Sequence, residues 1–381
     1  MKKIWIAIVI IVAAALAITL FVTKTQKGTE KIKIGVILPL TGDGASLGED
    51  CKNGIELAVD IFNLKGYIDG KKIVVSYEDS EGKPDLAVNA LHKFITQGIR
   101  IVIGDLFSSP TLAMAPIADK NEILLFSPGA SSPKLSGISK YFFRNYPSDN
   151  YEGKLIAEYI YQQGIKRTAI LYPNNDYGVG LKDVFKGKYE YLGGRIVFNE
   201  GYDENSTDFR TSLAKIQTEK PEALYLPGYY SSIARITRQI KELGIKIRLF
   251  SNIGVEDPKI FELAGNAAYD LVYTAPAIDF KSNAPAIKDF VEKFKQRFGR
   301  EPGFPSAHGY DSINFLMQSM LKSQRSEPDS IAKVLLDMEF DGVTGSRIKF
   351  QASGDVIKPF YIKKIGTGEF LRIGEIKEAM E

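Results

Sequence analysis

The stretch GVILPLTGDGASLGEDCKNGIELAVD, residues 35–60, decides the fold. It continues an apolar run, KIKIGVILP (31–39), that reads as a strand, and glycines at 42, 44 and 48 punctuate the loop that follows. Cys51, Ile55, Ala58 and Phe62 then recur at the spacing of one helix face. Strand, glycine-bearing loop and helix are the layout of a phosphate-gripping loop, and also of proteins that only hold a small molecule. A dinucleotide fingerprint needs Gly-x-Gly-x-x-Gly. Gly42 and Gly44 fit, but Leu47 stands at the third position and Gly48 comes one residue late. A Walker loop needs Lys-Ser/Thr after its last glycine, and none follows. The glycines therefore read as turn formers.

The same unit repeats along the chain. KIVVSYED (72–79), IRIVIGDL (99–106) and ILLFSP (123–128) are strand-like, and each is followed by a helix pattern or a loop. The helix PDLAVNALHKFITQG (84–98) opens on Pro84, lines up Ala87, Leu91 and Phe94, and stops at Gly98. A second series follows YFFRNYPSDN (141–150): RTAILYP, GRIVFNE, EALYLPG, IRLFSN and LVYTAP, again alternating with helices. Such alternation means parallel βαβ units with helices on both sheet faces. Two series in 381 residues indicate an α/β protein of two doubly wound lobes, joined near Pro147 and Pro276. Helices are expected at 284–299 and 309–322, and either of two late strands, SRIKFQ (346–351) and KPFYIKKI (358–365), can carry the chain back across the joint. Lobe 1 is expected over 32–147 plus 277–347, and lobe 2 over 148–276 plus 348–381.

Composition narrows the partners. The chain is 44% hydrophobic and 25% charged, with 49 basic against 46 acidic residues and no basic run interleaved with aromatics, so nucleic acid is not an expected partner. Residues 4–22, IWIAIVIIVAAALAITLFV, carry no charge. Their length sits at the lower edge of the roughly 17–25 residues that span a bilayer and exceeds the about 7–15 of a signal-peptide core. Residues 1–23 are thus a membrane anchor or a signal peptide, and the polar 24–31 a linker. Either way the body is expected on the extracytoplasmic face, and an uncleaved segment would tether it there as a monomer. Cys51 is the one cysteine, so no internal disulfide forms, and it lies too far from the apolar segment to be a lipid anchor.

Catalytic signatures are missing. His92 lies within an amphipathic helix, and His308 precedes GYDSINFL, within possible reach of a cleft but without metal-ligand neighbours. There is no Gly-x-Ser-x-Gly elbow, and no metal or cofactor is expected. In open parallel sheets ligands bind beyond the carboxyl ends of the strands. The loops there, LTGDGASLG, GDLFSSP, SPGASSP, PNNDYG, PGYYSS and SNIGVED, carry hydroxyls, exposed backbone and aromatics. Ser108 or Ser109, before Pro110, would open a helix whose free amides favour an anion such as a carboxylate. SPGASSP lets a ligand approach backbone closely, and Tyr177 and Tyr229 suit its apolar part.

Together, KIGVILPLTG…GIELAVDIFN, VIGDLFSS, SPGASSP, NDYG and PGYY resemble the Leu/Ile/Val-binding protein family, type I periplasmic binding proteins that deliver ligands to ABC transporters. The resemblance runs in order from about Lys31 into the C-terminal region. It implies two Rossmann-like lobes with parallel sheets, joined by a three-crossover hinge and closing on a small polar ligand, with an ABC permease as partner. It implies contacts from Ser108, Gly129, Ala130 and Ser131 in the first lobe and from Tyr177 and Tyr229 in the second. Ser46 or Leu47 matches a position where a tyrosine is common. Two residues depart from the pattern. Ile253 stands where amino-acid binders of the family commonly place an acid, which leaves Asp176, Glu256 and Asp311 as alternative partners for an ammonium, or a ligand without one. Phe107 replaces a smaller residue and would reshape the pocket. An amino acid of branched-chain type is the expected ligand; a carboxylate or amide lacking an ammonium, or a sensing role, is the alternative.

Overall fold

The computed structural model describes residues 31–65 and 71–376, so the expected anchor or signal and nearly all of the linker lie outside the described residues. Among those described, no helix is long and apolar enough to cross a membrane.

The first lobe begins as strand β1 (Lys31–Leu38), helix α1 (Ala45–Lys65), β2 (Lys72–Asp79), α2 (Pro84–Thr96), β3 (Ile101–Gly104), α3 (Ser108–Lys120), β4 (Leu124–Ser127) and β5 (Phe142–Arg144). Its five strands run in the order β2-β1-β3-β4-β5, all parallel. β1 is buried on both faces, which is why it reads as a near-continuous apolar run. Ile34, Val36 and Leu38 face Cys51, Ile55 and Ala58 of α1. Ile37 faces Leu91 and Phe94 of α2 and Met114 of α3 on the other side. The glycine that spoils the nucleotide fingerprint has a packing role. A Cβ on Gly48 would fall 1.9 Å from the Pro39 carbonyl oxygen, so only glycine lets α1 start hard against the end of β1.

The second lobe follows with α4 (Asp149–Gln162), β6 (Arg167–Pro173), α5 (Asp176–Tyr191), β7 (Arg195–Tyr202), α6 (Arg210–Glu219), β8 (Ala223–Tyr225), α7 (Tyr230–Glu242), β9 (Arg248–Asn252), α8 (Lys259–Ala264) and β10 (Val272–Pro276). Residues Ile156, Ile160, Leu181 and Phe185 of α4 and α5 cover one sheet face. Leu213, Ile216, Ile233 and Ile236 of α6 and α7 cover the other. The chain then returns to the first lobe with α9 (Pro285–Phe298), α10 (Phe304–Ser323), α11 (Pro328–Asp337) and the hairpin β11 (Glu339–Gly342) and β12 (Gly345–Lys349). The helix expected at 309–322 starts earlier, with Pro305 in its first turn.

SRIKFQ does not cross between lobes. Residues 345–349 pair in the hairpin, and Phe350 packs on Phe126 and Phe143 of the first lobe at 5.8 and 5.6 Å between ring centroids. KPFYIKKI does cross, as β13 (Phe360–Ile365), with β14 (Phe370–Ile376) beside it. β13 pairs antiparallel with β10, and β14 antiparallel with β13, so the seven-stranded sheet, β14-β13-β10-β9-β8-β6-β7, adds two antiparallel pairings to a parallel body. The three connections between lobes are bonded together. Asn145 of the first accepts from Lys358 Nζ of the third at 2.6 Å, and the Ala277 amide of the second donates to the Pro359 carbonyl at 2.8 Å.

Candidate functional site

The strand-end loops of both lobes line one cavity between them, with about 470 Å³ of empty space counting its open mouth. Leu47, Leu106, Phe107, Ser108, Gly129 and Ser131 line it from the first lobe, Tyr146 from the first connection, Tyr177, Tyr229, Ile253 and Gly254 from the second lobe, and Phe304 and Pro305 from the start of α10. Eight residues singled out from sequence thus share one wall or another. Two do not reach it. Ser46 sits one residue before Leu47 on α1, about 100° round the helix. Ala130 is turned into the core beside α2 and α3, with its amide donating to Ser127 Oγ at 2.9 Å.

Local structure fixes the polar wall. The buried Asp105 carboxylate accepts from Ser80 Oγ and, at 2.9 Å, from the Phe107 amide, which holds the loop leading into α3. Ser108 then opens α3, where the first amides have no intrahelical acceptor. Ser108 Oγ accepts from the amides of Ser131 and Ser132 at 3.3 and 3.1 Å. Its own proton is left to donate.

Ser131 has the opposite polarity. Its Oγ donates to Asp149 Oδ2 at 3.0 Å, leaving the oxygen lone pairs as acceptors. Tyr146 Oη likewise donates to Glu152 Oε2 at 3.1 Å, and Thr274 Oγ1 to Glu152 Oε1 at 2.7 Å. Both carboxylates belong to the first turn of α4, where the helix dipole favours negative charge by about 0.3–1 kcal/mol. Burial outweighs it. Desolvation, with the neighbouring Glu152 charge, pushes Asp149 well above the usual carboxylate range. Desolvation pushes Glu152 up to about 7 against the hydrogen bonds from Thr274, Tyr146 and the Ile253 amide. Asp149 Oδ1 is buried without a hydrogen-bond partner among the described residues.

The three acids suggested by sequence as ammonium partners are occupied elsewhere. Asp176 pairs with Lys134 at 2.9 Å, Glu256 with Lys363 at 2.6 Å, and Asp311 accepts from Thr344 Oγ1 at 2.6 Å and from the Val343 and Thr344 amides. None lines the cavity. His308 is buried inside α10 with its ring 5.5 Å from that of Tyr146, behind the wall rather than in it. Among the described residues no group of three or more His, Cys, Asp or Glu could hold a metal ion.

The apolar wall is a stack of rings that spans the cleft. Phe107 lies 4.7 Å from Tyr229, and Tyr229 lies 5.1 Å from Tyr177, centroid to centroid. Phe107 fits because Gly44 and Gly82 leave room: a Cβ on either would come within 2.6 or 2.8 Å of its ring. The lobes also touch directly. Ser109 Oγ accepts from the Asp176 amide at 3.2 Å, Ser132 Oγ donates to the Asp176 carbonyl at 3.3 Å, and Tyr230 Oη donates to the Asp43 carbonyl at 3.1 Å.

Residues 31–369 match the sequence profile of a family described as periplasmic binding protein. A Leu/Ile/Val-binding protein homolog of Brucella abortus is 27% identical over 336 residues, covering 87% of this chain and 89% of its own. The solved structure of a leucine-binding protein, LivK, from Thermotoga maritima is 28% identical with a TM-score of 0.85, over 91% of this chain and 99% of that one. LivJ, the branched-chain amino acid transporter substrate-binding protein of Streptococcus pneumoniae, solved in complex with isoleucine, is 26% identical with a TM-score of 0.83, over 92% and 100%.

Proposed function

The chain belongs to the periplasmic binding protein family, and from that premise we propose that it is the extracytoplasmic receptor of an ABC importer, binding a branched-chain or similar small apolar amino acid between its lobes. One observation carries the ligand class: the cavity's polar wall has a donor end and an acceptor end. Ser108 offers an O–H at the N-terminus of α3, which suits a carboxylate, and Ser131 offers an oxygen backed by Asp149, which suits an ammonium. Leu47, Leu106, Ile253 and the aromatic stack receive the side chain. Binders of this kind work by hinge closure, and the contacts of Asp176 and Tyr230 across the cleft are those a closed form makes. The permease reads that closed form; the protein carries solute and performs no chemistry on it. Residues 1–23, as a membrane anchor or an export signal, would deliver a monomeric body to the extracytoplasmic face. A carboxylate lacking an ammonium is the second reading, favoured by the apolar Ile253 and bulky Phe107 on the wall. Mass spectrometry of the small molecule that co-purifies tests the proposal: an apolar amino acid is expected, and an aromatic acid or an amide in its place would refute the amino-acid assignment.

A further inference from the structure

Asp149 and Glu152 lie one turn apart on α4, both fully buried, and the side chains that donate to them are hydroxyls rather than cations. Arg144, whose charge does act on Asp149, is itself bonded to Asp355 Oδ1 at 2.6 Å, to the carbonyls of Ala130 and Ser132, and to Ser136 Oγ. Two buried acids without a bonded cation are costly in an empty site. A cation that arrives with the ligand removes that cost. Hydrogen bonds give the route: each acid accepts from the hydroxyl of a cavity-lining residue, Asp149 from Ser131 and Glu152 from Tyr146, which leaves the lone pairs of both hydroxyl oxygens as acceptors. The Glu152 carboxylate also meets the backbone amide of Ile253, whose own side chain brings no charge.

We infer that Glu152, acting through Tyr146 and alongside the Asp149–Ser131 pair, supplies the counter-charge for the ligand's primary ammonium and selects amino acids over their deaminated analogues. The inference rests on the amino-acid receptor reading above. Glu152 is a positioning residue, since Tyr146 stands between it and the cavity. The groups facing the two acids leave them free to respond to a ligand. The phenols of Tyr146, Tyr177 and Tyr225 are kept neutral by burial, and so is His308 behind Tyr146. Glu256, which acts on Tyr146 from the second lobe, is held by Lys363. Protonation of the acid pair would turn the acceptor wall into a donor one, so affinity for amino acids should fall as pH drops through about 7, the range in which Glu152 takes up its proton.

The test is calorimetric titration of the wild-type protein and Glu152→Gln with L-leucine, L-isoleucine and L-valine, and with 4-methylpentanoate, which is leucine without its ammonium, at pH 6 and 8. Glu152→Gln is expected to weaken the amino acids about tenfold or more while leaving 4-methylpentanoate unchanged. The wild-type pH dependence for amino acids is expected to flatten in the variant. Tyr146→Phe, which removes only the hydroxyl, should show the same selective loss and guards against a folding defect in the first variant. Equal losses for both ligand types, or amino-acid affinity unchanged in both variants, overturns the inference while the receptor reading stands. A wild-type protein that takes none of the three amino acids overturns both.

Discussion

Glu152 should make the ligand-free protein less stable as pH rises, and its removal should reverse that. Burial lifts its pKa from 4.5 to about 7 in the folded state. Between those values the unfolded chain has lost the proton while the folded one keeps it, so the folded state binds more protons and stability falls with rising pH. Above about 7 both states are ionised and the loss is complete. A rise from 4.5 to about 7, at 1.36 kcal/mol per pH unit, sets the loss at about 3 kcal/mol. Asp149 shares the titration, so the slope belongs to the pair. Glu152→Gln cannot ionise. It retains an acceptor for Thr274 but must turn Tyr146 Oη round to accept from its amide, a change costing about 1 kcal/mol. The variant is therefore expected to unfold at higher urea concentration than wild type at pH 8, by about 2 kcal/mol, and to match or fall slightly below it at pH 4.5. Urea unfolding of the ligand-free proteins at both pH values measures this. A variant less stable than wild type at pH 8, or one with an unchanged pH slope, would show that Glu152 does not carry this pH dependence.

Three other substitutions test the remaining walls. Ser108→Ala removes the donor for the carboxylate and leaves two amides without their acceptor; amino-acid affinity by calorimetry is expected to drop about 10-fold to 100-fold with the fold intact by circular dichroism. Tyr229→Ala takes the middle ring out of the stack that joins the lobes, and at least a tenfold loss of affinity is expected; unchanged binding would remove Tyr229 from the site. Phe107→Ala empties the hollow beside Gly44 and Gly82, so L-phenylalanine is expected to gain affinity relative to L-valine in a competition assay.

Much of this architecture is legible in the sequence because its signals are local. Continuous apolar strands, helix stripes such as Ala87–Leu91–Phe94 and strand-end loops rich in serine each lie within a short window. Gly48 marks the limit of such reading: its spacing rules out a nucleotide loop, yet the reason for the glycine, the Pro39 carbonyl beneath it, is a contact in space. Residues 129–131 show the same limit at finer scale, since Gly129 and Ser131 face the cavity while Ala130 between them points into the core. Tyr146, Phe304 and Pro305 escaped notice because they come from an interlobe connection and a returning helix, with no strand-end motif to flag them. Asp149 and Glu152 were hidden differently. Acids in the first turn of a helix, behind a Ser148 cap, are what ordinary helix capping requires, and only their burial distinguishes them. The direction of β13 and β14 was not readable either, as alternation sets a strand's faces and not its orientation.

A cavity that reads both ends of a zwitterion should show it in the thermal unfolding of the wild-type protein with single ligands, because a ligand that binds only the folded state raises the midpoint. L-leucine, L-isoleucine or L-valine at millimolar concentration is expected to raise it by several degrees, with 4-methylpentanoate and benzoate giving little or no shift. A rise with benzoate or 4-methylpentanoate that equals or exceeds the rise with every amino acid would mean that the cavity does not read the ammonium.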